Sequence, residues 1–357
     1  MNSLSRVPAG RRRASRRCRP APHASTSTHH LAVVRRALLA GAGIVVGGLT
    51  LGSALAGQAI PSVTPAALDG AALSIQLVPH EALAPGLEEV RIGAASTGTP
   101  AEATNRLLAV APDGAAAAIA SQIGPGPAAL ILAGRDGTRR SVEMPGLIGA
   151  AFAPDGSWLA VIDGAGSIWR LPAGDLAASR MADGPFIGSP VVDADGSVLA
   201  LRVSSIEAPI VSHLMRIAPD GSLATLADDD LVYGAQLMAD GSIAYVAHHG
   251  SGTVLKQLVG GKLRQLADLG EDAVNVVLGP NQDEVAFERS GQVFVRLIGQ
   301  RVDVPVGAGA RPHFAPDGHS LLVERASGSV LLSLDGTQLG QFDGQTGFGA
   351  CAAGCQP

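Results

Sequence analysis

A short phrase recurs along this chain and restricts its fold more than any other feature. It reads Val110-Ala-Pro-Asp-Gly, Phe152-Ala-Pro-Asp-Gly, Val192-Asp-Ala-Asp-Gly, Met238-Ala-Asp-Gly, Leu278-Gly-Pro-Asn-Gln-Asp and Phe314-Ala-Pro-Asp-Gly. Apolar runs follow the later copies, as in Ser157-Trp-Leu-Ala-Val-Ile, Ser197-Val-Leu-Ala-Leu and Ser320-Leu-Leu-Val. Counted on the turn aspartate, with Gln282 in its place in the fifth copy, the intervals are 42, 40, 45, 42 and 35 residues. Proline presets the negative φ that a turn needs and glycine accepts a positive one, so Pro-Asp-Gly between apolar runs is a turn between strands.

One unit shows the whole pattern. Gly149–Phe152 reads as a short inner strand, Trp158–Ile162 as a second, Ser167–Leu171 as a third and Leu176–Met181 as the outer one. Second hairpins recur around Arg135-Asp-Gly, Pro219-Asp-Gly, Gly260-Gly-Lys, Gly299-Gln and Asp335-Gly-Thr. Six units of four strands at this spacing predict an all-β fold, a β-propeller. Aromatics are only 3% of the chain, so Ala, Gly, Val and Leu must do the packing.

The phrase resembles the TolB-type propeller repeat (PD40, WD40-like), over about residues 105–342. It departs from that repeat in carrying Ala at positions 111, 153, 218 and 315, and in lacking Pro in the third and fourth copies. The resemblance implies an extracytoplasmic six-bladed propeller acting as an envelope scaffold, and implies no catalytic site. Residues 57–104 are too few for the additional N-terminal α/β domain of TolB itself. Within them Leu73–Leu77 and Glu89–Ile92 read as strands. These either pair with the tail 343–357 as a partial seventh blade or lead into the first.

The formal charge of −5 hides an asymmetry. Residues 1–56 hold nine Arg and no acid, which leaves 17 basic against 31 acidic residues beyond, a balance of −14. So acidic a body repels phosphate and excludes nucleic acid as a partner. Residues 1–36 read as a basic disordered n-region. Ala37–Ala56 is an uncharged, largely apolar run that follows Arg35-Arg36 and ends in Ala54-Leu55-Ala56. A basic region, an apolar stretch and an A-x-A site form an export signal. Arg35-Arg36-Ala-Leu38-Leu39 also resembles a twin-arginine signal, departing from it at Val34 and Ala40. The alternative is an uncleaved anchor, since an apolar run of that length can span a bilayer. Either reading faces the body to an extracytoplasmic space (periplasmic, cell-surface or secreted), with membrane contact only through 37–56 if uncleaved.

In a propeller of this order, ligands dock on the face carrying the loops into each inner strand and between second and third strands. Those loops hold Glu207, Asp229, Asp230, Tyr233, His248, His249, Asp272, Arg289, Arg311 and Arg325, the candidate binding residues. Adjacent histidines rarely reach one ion, and each Asp-Gly turn has a single carboxylate, so no metal site and no cofactor is expected. No G-x-S-x-G, Walker or H-E-x-x-H motif is present. Cys351 and Cys355 suit a structural disulfide in an oxidising compartment. The expectation is a monomeric, non-catalytic binding or scaffold module with an envelope protein partner. The alternative is a small-ligand-binding protein or a lactonase-like hydrolase at the channel mouth.

Overall fold

The computed structural model describes residues 73–94, 103–123, 127–205, 210–227, 229, 231–250 and 252–349. The export segment, Glu207, Asp230, Cys351 and Cys355 lie outside them. Among the described residues no helix is long and apolar enough to cross a membrane.

The described residues form 27 strands. The first two, β1 (Leu73–Pro79) and β2 (Leu87–Ala94), precede six successive four-stranded units. The first unit is β3 (Ala103–Val110), β4 (Ala116–Ile123), β5 (Ala128–Gly134) and β6 (Arg139–Met144). The second is β7 (Leu147–Phe152), β8 (Trp158–Asp163), β9 (Ile168–Pro172) and β10 (Ser179–Ala182). The third is β11 (Phe186–Val192), β12 (Val198–Ser205), β13 (Val211–Ile217) and β14 (Leu223–Ala227). The fourth is β15 (Leu231–Leu237), β16 (Ile243–His249), β17 (Gly252–Val259) and β18 (Lys262–Gly270). The fifth is β19 (Val274–Leu278), β20 (Glu284–Arg289), β21 (Gln292–Leu297) and β22 (Val304–Ala308). The sixth is β23 (Ala310–Phe314), β24 (Ser320–Arg325), β25 (Gly328–Ser333) and β26 (Gln338–Phe342), and β27 (Gln345–Phe348) ends the described chain.

Within each unit successive strands pair antiparallel, and a single parallel bridge, Ser212 to Leu231, joins the third unit to the fourth. The two chain ends meet: β27 pairs antiparallel with β2, Leu87 opposite Phe348, in a three-stranded sheet with β1. Of the two readings of residues 73–94, the structure therefore shows pairing with the tail.

Apolar clusters fill the space between each sheet and the next. Leu159 and Val161 of β8 pack toward the first unit with Leu130 and Met144, while Trp158, Ala160 and Ile162 pack toward Phe186 and Ile217 of the third. A strand covered on both faces carries an unbroken apolar run, and every residue of β8 is buried. The same holds around the ring. Leu77 and Val90 of the terminal sheet pack on Ile119 and Ile131, and Leu87 packs on Leu322 and Phe342 on its other side. Alanines such as Ala117, Ala118, Ala160 and Ala286 are fully buried and let the sheets approach closely. The fold is an all-β propeller.

The turns follow the recurring phrase with one correction. In each copy the residue after the turn aspartate donates its N–H back three residues: Gly114 to Ala111, Gly156 to Ala153, Gly318 to Ala315. In the fifth copy that donor is Gln282, bonded to Gly279, with φ 62°. Gln282 therefore stands at the glycine position, and Asn281 rather than Gln282 replaces the aspartate. The fourth strand of the second unit also starts later than Leu176. That residue takes φ 55° in the turn, bonds Pro172 and is buried, and the strand begins at Ser179.

Candidate functional site

Each inner strand enters from the loop face and leaves at a turn of the recurring phrase, and several of these strands wall a channel. A cavity of about 1690 Å³ follows it, lined by parts of β3, β15, β19, β23, β24 and β27. Its turn end mixes apolar Met238, Leu278, Phe314 and Phe348 with polar Asn281 and Asp317. Its loop end is charged, with Arg106, Arg311, Glu324, Arg325 and Asp343.

The inner strands are bulged, with register breaks between Leu107 and Ala109, Leu147 and Gly149, Ile187 and Val191, Val232 and Gly234, Val274 and Val277, and Ala310 and His313. A bulge bends its strand and re-aims side chains. At three of them one residue turns left-handed: Gly188 at φ 75°, Asn275 at 50° and Arg311 at 48°. Arginine in that region costs about 1–3 kcal/mol and is held there by its surroundings. Arg311 donates from Nη1 to Glu324 Oε2 at 3.1 Å. Arg325 donates from Nε to the Ala308 carbonyl at 3.1 Å. Arg106 donates to the carbonyls of Leu147 at 3.2 Å and Ile148 at 2.8 Å. His313 opens on the same cavity; burial lowers its pKa, Glu324 raises it and Arg311 lowers it again, with a net fall.

Two glutamines staple neighbouring inner strands. Gln236 of β15 donates to the Leu278 carbonyl at 3.2 Å and accepts from the Leu278 N–H at 2.6 Å. Gln345 of β27 donates to the Asn105 carbonyl at 2.7 Å and accepts from the Leu107 N–H. Each replaces a missing rung between sheets with a side-chain amide.

Of the residues expected on the binding face, the structure brings Arg311 and Arg325 together at the cavity. Others serve the scaffold. Tyr233 donates to Thr253 Oγ1 at 2.7 Å, and burial raises its pKa. Asp229 accepts from Tyr245 at 2.9 Å and from Lys256. Arg289 donates to Asp303 at 2.8 Å and to the Leu269 carbonyl at 2.8 Å. Burial pushes the Asp303 carboxyl up, but hydrogen bonds from Arg296 and Arg289 hold it below the usual range. Asp272 is exposed, and His248 is half-buried on β16. His249 lies on the same strand, opposite Gly252. Among the described residues no three His, Cys, Asp or Glu gather as metal ligands.

The sequence reading missed Arg106, His313, Gln236 and Gln345. Each is a charged or amide residue inside a strand, and the bulges and long-range pairings that aim it leave no local signal.

No family model and no curated protein sequence matches this chain. Solved structures do. The propeller domain of Cps50 (Swd1) from Myceliophteria thermophila aligns with TM-score 0.50 at 14% identity, over 70% of this chain and 90% of that one. TolB from Acinetobacter baumannii aligns at 0.48 and 15%, over 77% and 80%. An oligogalacturonate lyase from Vibrio parahaemolyticus aligns at 0.43 and 10%, over 70% and 93%. The chain is thus similar in fold to the Cps50 β-propeller domain.

Proposed function

We propose that this protein is an exported, non-catalytic binding module of the cell envelope whose protein partner docks over the loop end of the channel. The observation that carries the reading is the cavity itself, wide, charged at the loop end and walled by bulged strands. Function on propellers is set by such grafted surfaces rather than by the fold. The basic segment, the apolar run and Ala54-Leu55-Ala56 support export. A second reading, a hydrolase at the channel mouth, draws on one observation: His313 and Glu324 face the same cavity.

The test is site-specific photo-crosslinking of the full chain in its native host. Crosslinkers at Arg325 and Asp343 probe the loop end, and crosslinkers at Asp155 and Asp240 probe the turn face. One discrete adduct from the loop end, with a mature N-terminus near Gly57, is the expected result. Adducts only from the turn face, or none, would sink the docking reading, and an intact N-terminus would favour the anchor.

A further inference from the structure

The loop end of the channel holds a cation that no acid among the described residues pairs with. Arg106 is exposed to the cavity and donates only to two neutral carbonyls, those of Leu147 and Ile148. Both acceptors sit at the β7 bulge, where the register with β8 breaks between Leu147 and Gly149. Arg106 makes no ion pair among the described residues. Burial lowers its pKa, and the nearby Arg311 charge lowers it further. A guanidinium remains charged even so. Of its neighbours, Arg311 is compensated by Glu324, and Arg325 is tied to the Ala308 carbonyl. The Thr346 hydroxyl, on a residue lining the same cavity, is buried with no hydrogen-bond partner.

A guanidinium has five N–H donors in a planar fork. Two bonds from Nη2 anchor Arg106, and its Nε and Nη1 donors remain to meet an acceptor in the cavity. One uncompensated positive charge suits a carboxylate, which accepts charge-assisted hydrogen bonds from a guanidinium.

We propose that Arg106, with Arg311 and His313 beside it, forms a binding site for a carboxylate-bearing ligand. The acid is either a free small carboxylate or an acidic side chain of a docked protein. The first stands on the cavity alone; the second rests on the docking reading.

Isothermal titration of the purified full chain at low ionic strength tests this, with succinate and a triglutamate peptide as probes. The expected result is saturable binding that Arg106→Gln weakens about tenfold, the size of a charged hydrogen-bonded pair. Arg140→Gln, on an exposed outer strand, leaves it unchanged. Tighter triglutamate binding assigns the site to a peptide, and tighter succinate binding to a free acid. If Arg106→Gln does not fold, the Arg106 Nε–H resonance of the wild type supplies the readout and shifts on addition of the probe. No saturable binding of either probe overturns the site, as does binding that Arg106→Gln leaves intact or a resonance that does not move. A positive titration without a crosslinked partner removes the docking reading and leaves the site; the reverse pair of results removes the site alone.

Discussion

At the scale of single residues, the recurring turn works through its aspartate and its glycine. The aspartate Oδ1 accepts the N–H two residues on, as Asp155 does from Ser157 at 3.0 Å and Asp317 from His319 at 2.9 Å. Those bonds hold the Asp155 carboxyl below its ordinary pKa. The glycine position needs positive φ, and a Cβ at Gly156 would meet only Pro112 Cδ at 3.8 Å. The cost of substitution there is backbone strain rather than collision. Gly156→Val is expected to lose about 1–2 kcal/mol, and Gly156→Asn clearly less, because Asn tolerates the left-handed region. Thermal melts of the two variants check this, and equal midpoints would count against it. Gln282 at φ 62° shows that the fold accepts a side chain at this position. Asp163 is a different case, one that spacing did not reveal. It is buried and accepts from Ala165 at 2.9 Å, Ser167 at 2.8 Å and Trp169 Nε1 at 2.8 Å. Asp163→Ala orphans buried donors and is expected to cost about 2–4 kcal/mol, read by urea denaturation followed on tryptophan emission. An unchanged midpoint would show that water replaces the carboxylate.

At the scale of elements, the sequence revealed the strands because both faces of the middle strands are buried, which leaves apolar runs with turn signals at each end. It revealed less where other forces decide. Leu176 looked like the start of a strand, but its apolar side chain buries by taking a turn conformation instead. The inner strands were harder still. Their bulges shift register by a residue, and by two in β11, and no local pattern shows which side chain then faces the channel. Arg311 and Arg325 were found because they border loops; Arg106 and His313 lie inside strands and were not. Gln236 and Gln345 bridge residues 42 and 238 to 240 positions apart, so no sequence window contains both partners. Gln345→Ala removes both bonds to β3 and leaves the Leu107 N–H and Asn105 carbonyl unmatched. The expected loss is about 1–3 kcal/mol, with faster amide exchange in β27 and β3 and unchanged protection in β8. Uniform acceleration across the ring would show that the staple acts globally rather than at this seam.

At the scale of the whole molecule, β27 pairs with β2 where the last described strand meets the first sheet, and repetition of small sheets leaves only short edges. The joint lacks the recurring phrase, which is why the sequence left it open between two readings. It is also where two acids are buried side by side on β2. Glu88 faces Arg135 and is fully buried, with its Oε2 unpartnered. Burial raises its pKa against the opposing pull of Arg135. Glu89 faces the other way. Burial raises its pKa too, but hydrogen bonds from Arg91 at 2.8 Å, His80 at 3.0 Å and the Gly344 N–H at 3.1 Å bring it below the ordinary value. The two therefore act on stability with opposite signs. Where the folded pKa is raised, the native state binds the extra proton, so stability falls as pH rises from the ordinary carboxylate pKa toward the raised one. Where it is depressed, stability is present above the ordinary pKa and is lost as pH falls through the depressed one. Glu88→Gln should thus gain on the wild type as pH is raised from 4 to 7, because the amide has no charge to bury. Glu89→Gln should do the reverse, costing about 1–3 kcal/mol at pH 7, since it leaves Arg91 and His80 without their carboxylate, and approaching the wild type as pH falls below 4. Urea midpoints of both variants across that range decide it. Parallel pH profiles for the two variants would mean that the seam does not separate the two carboxylates as their surroundings indicate.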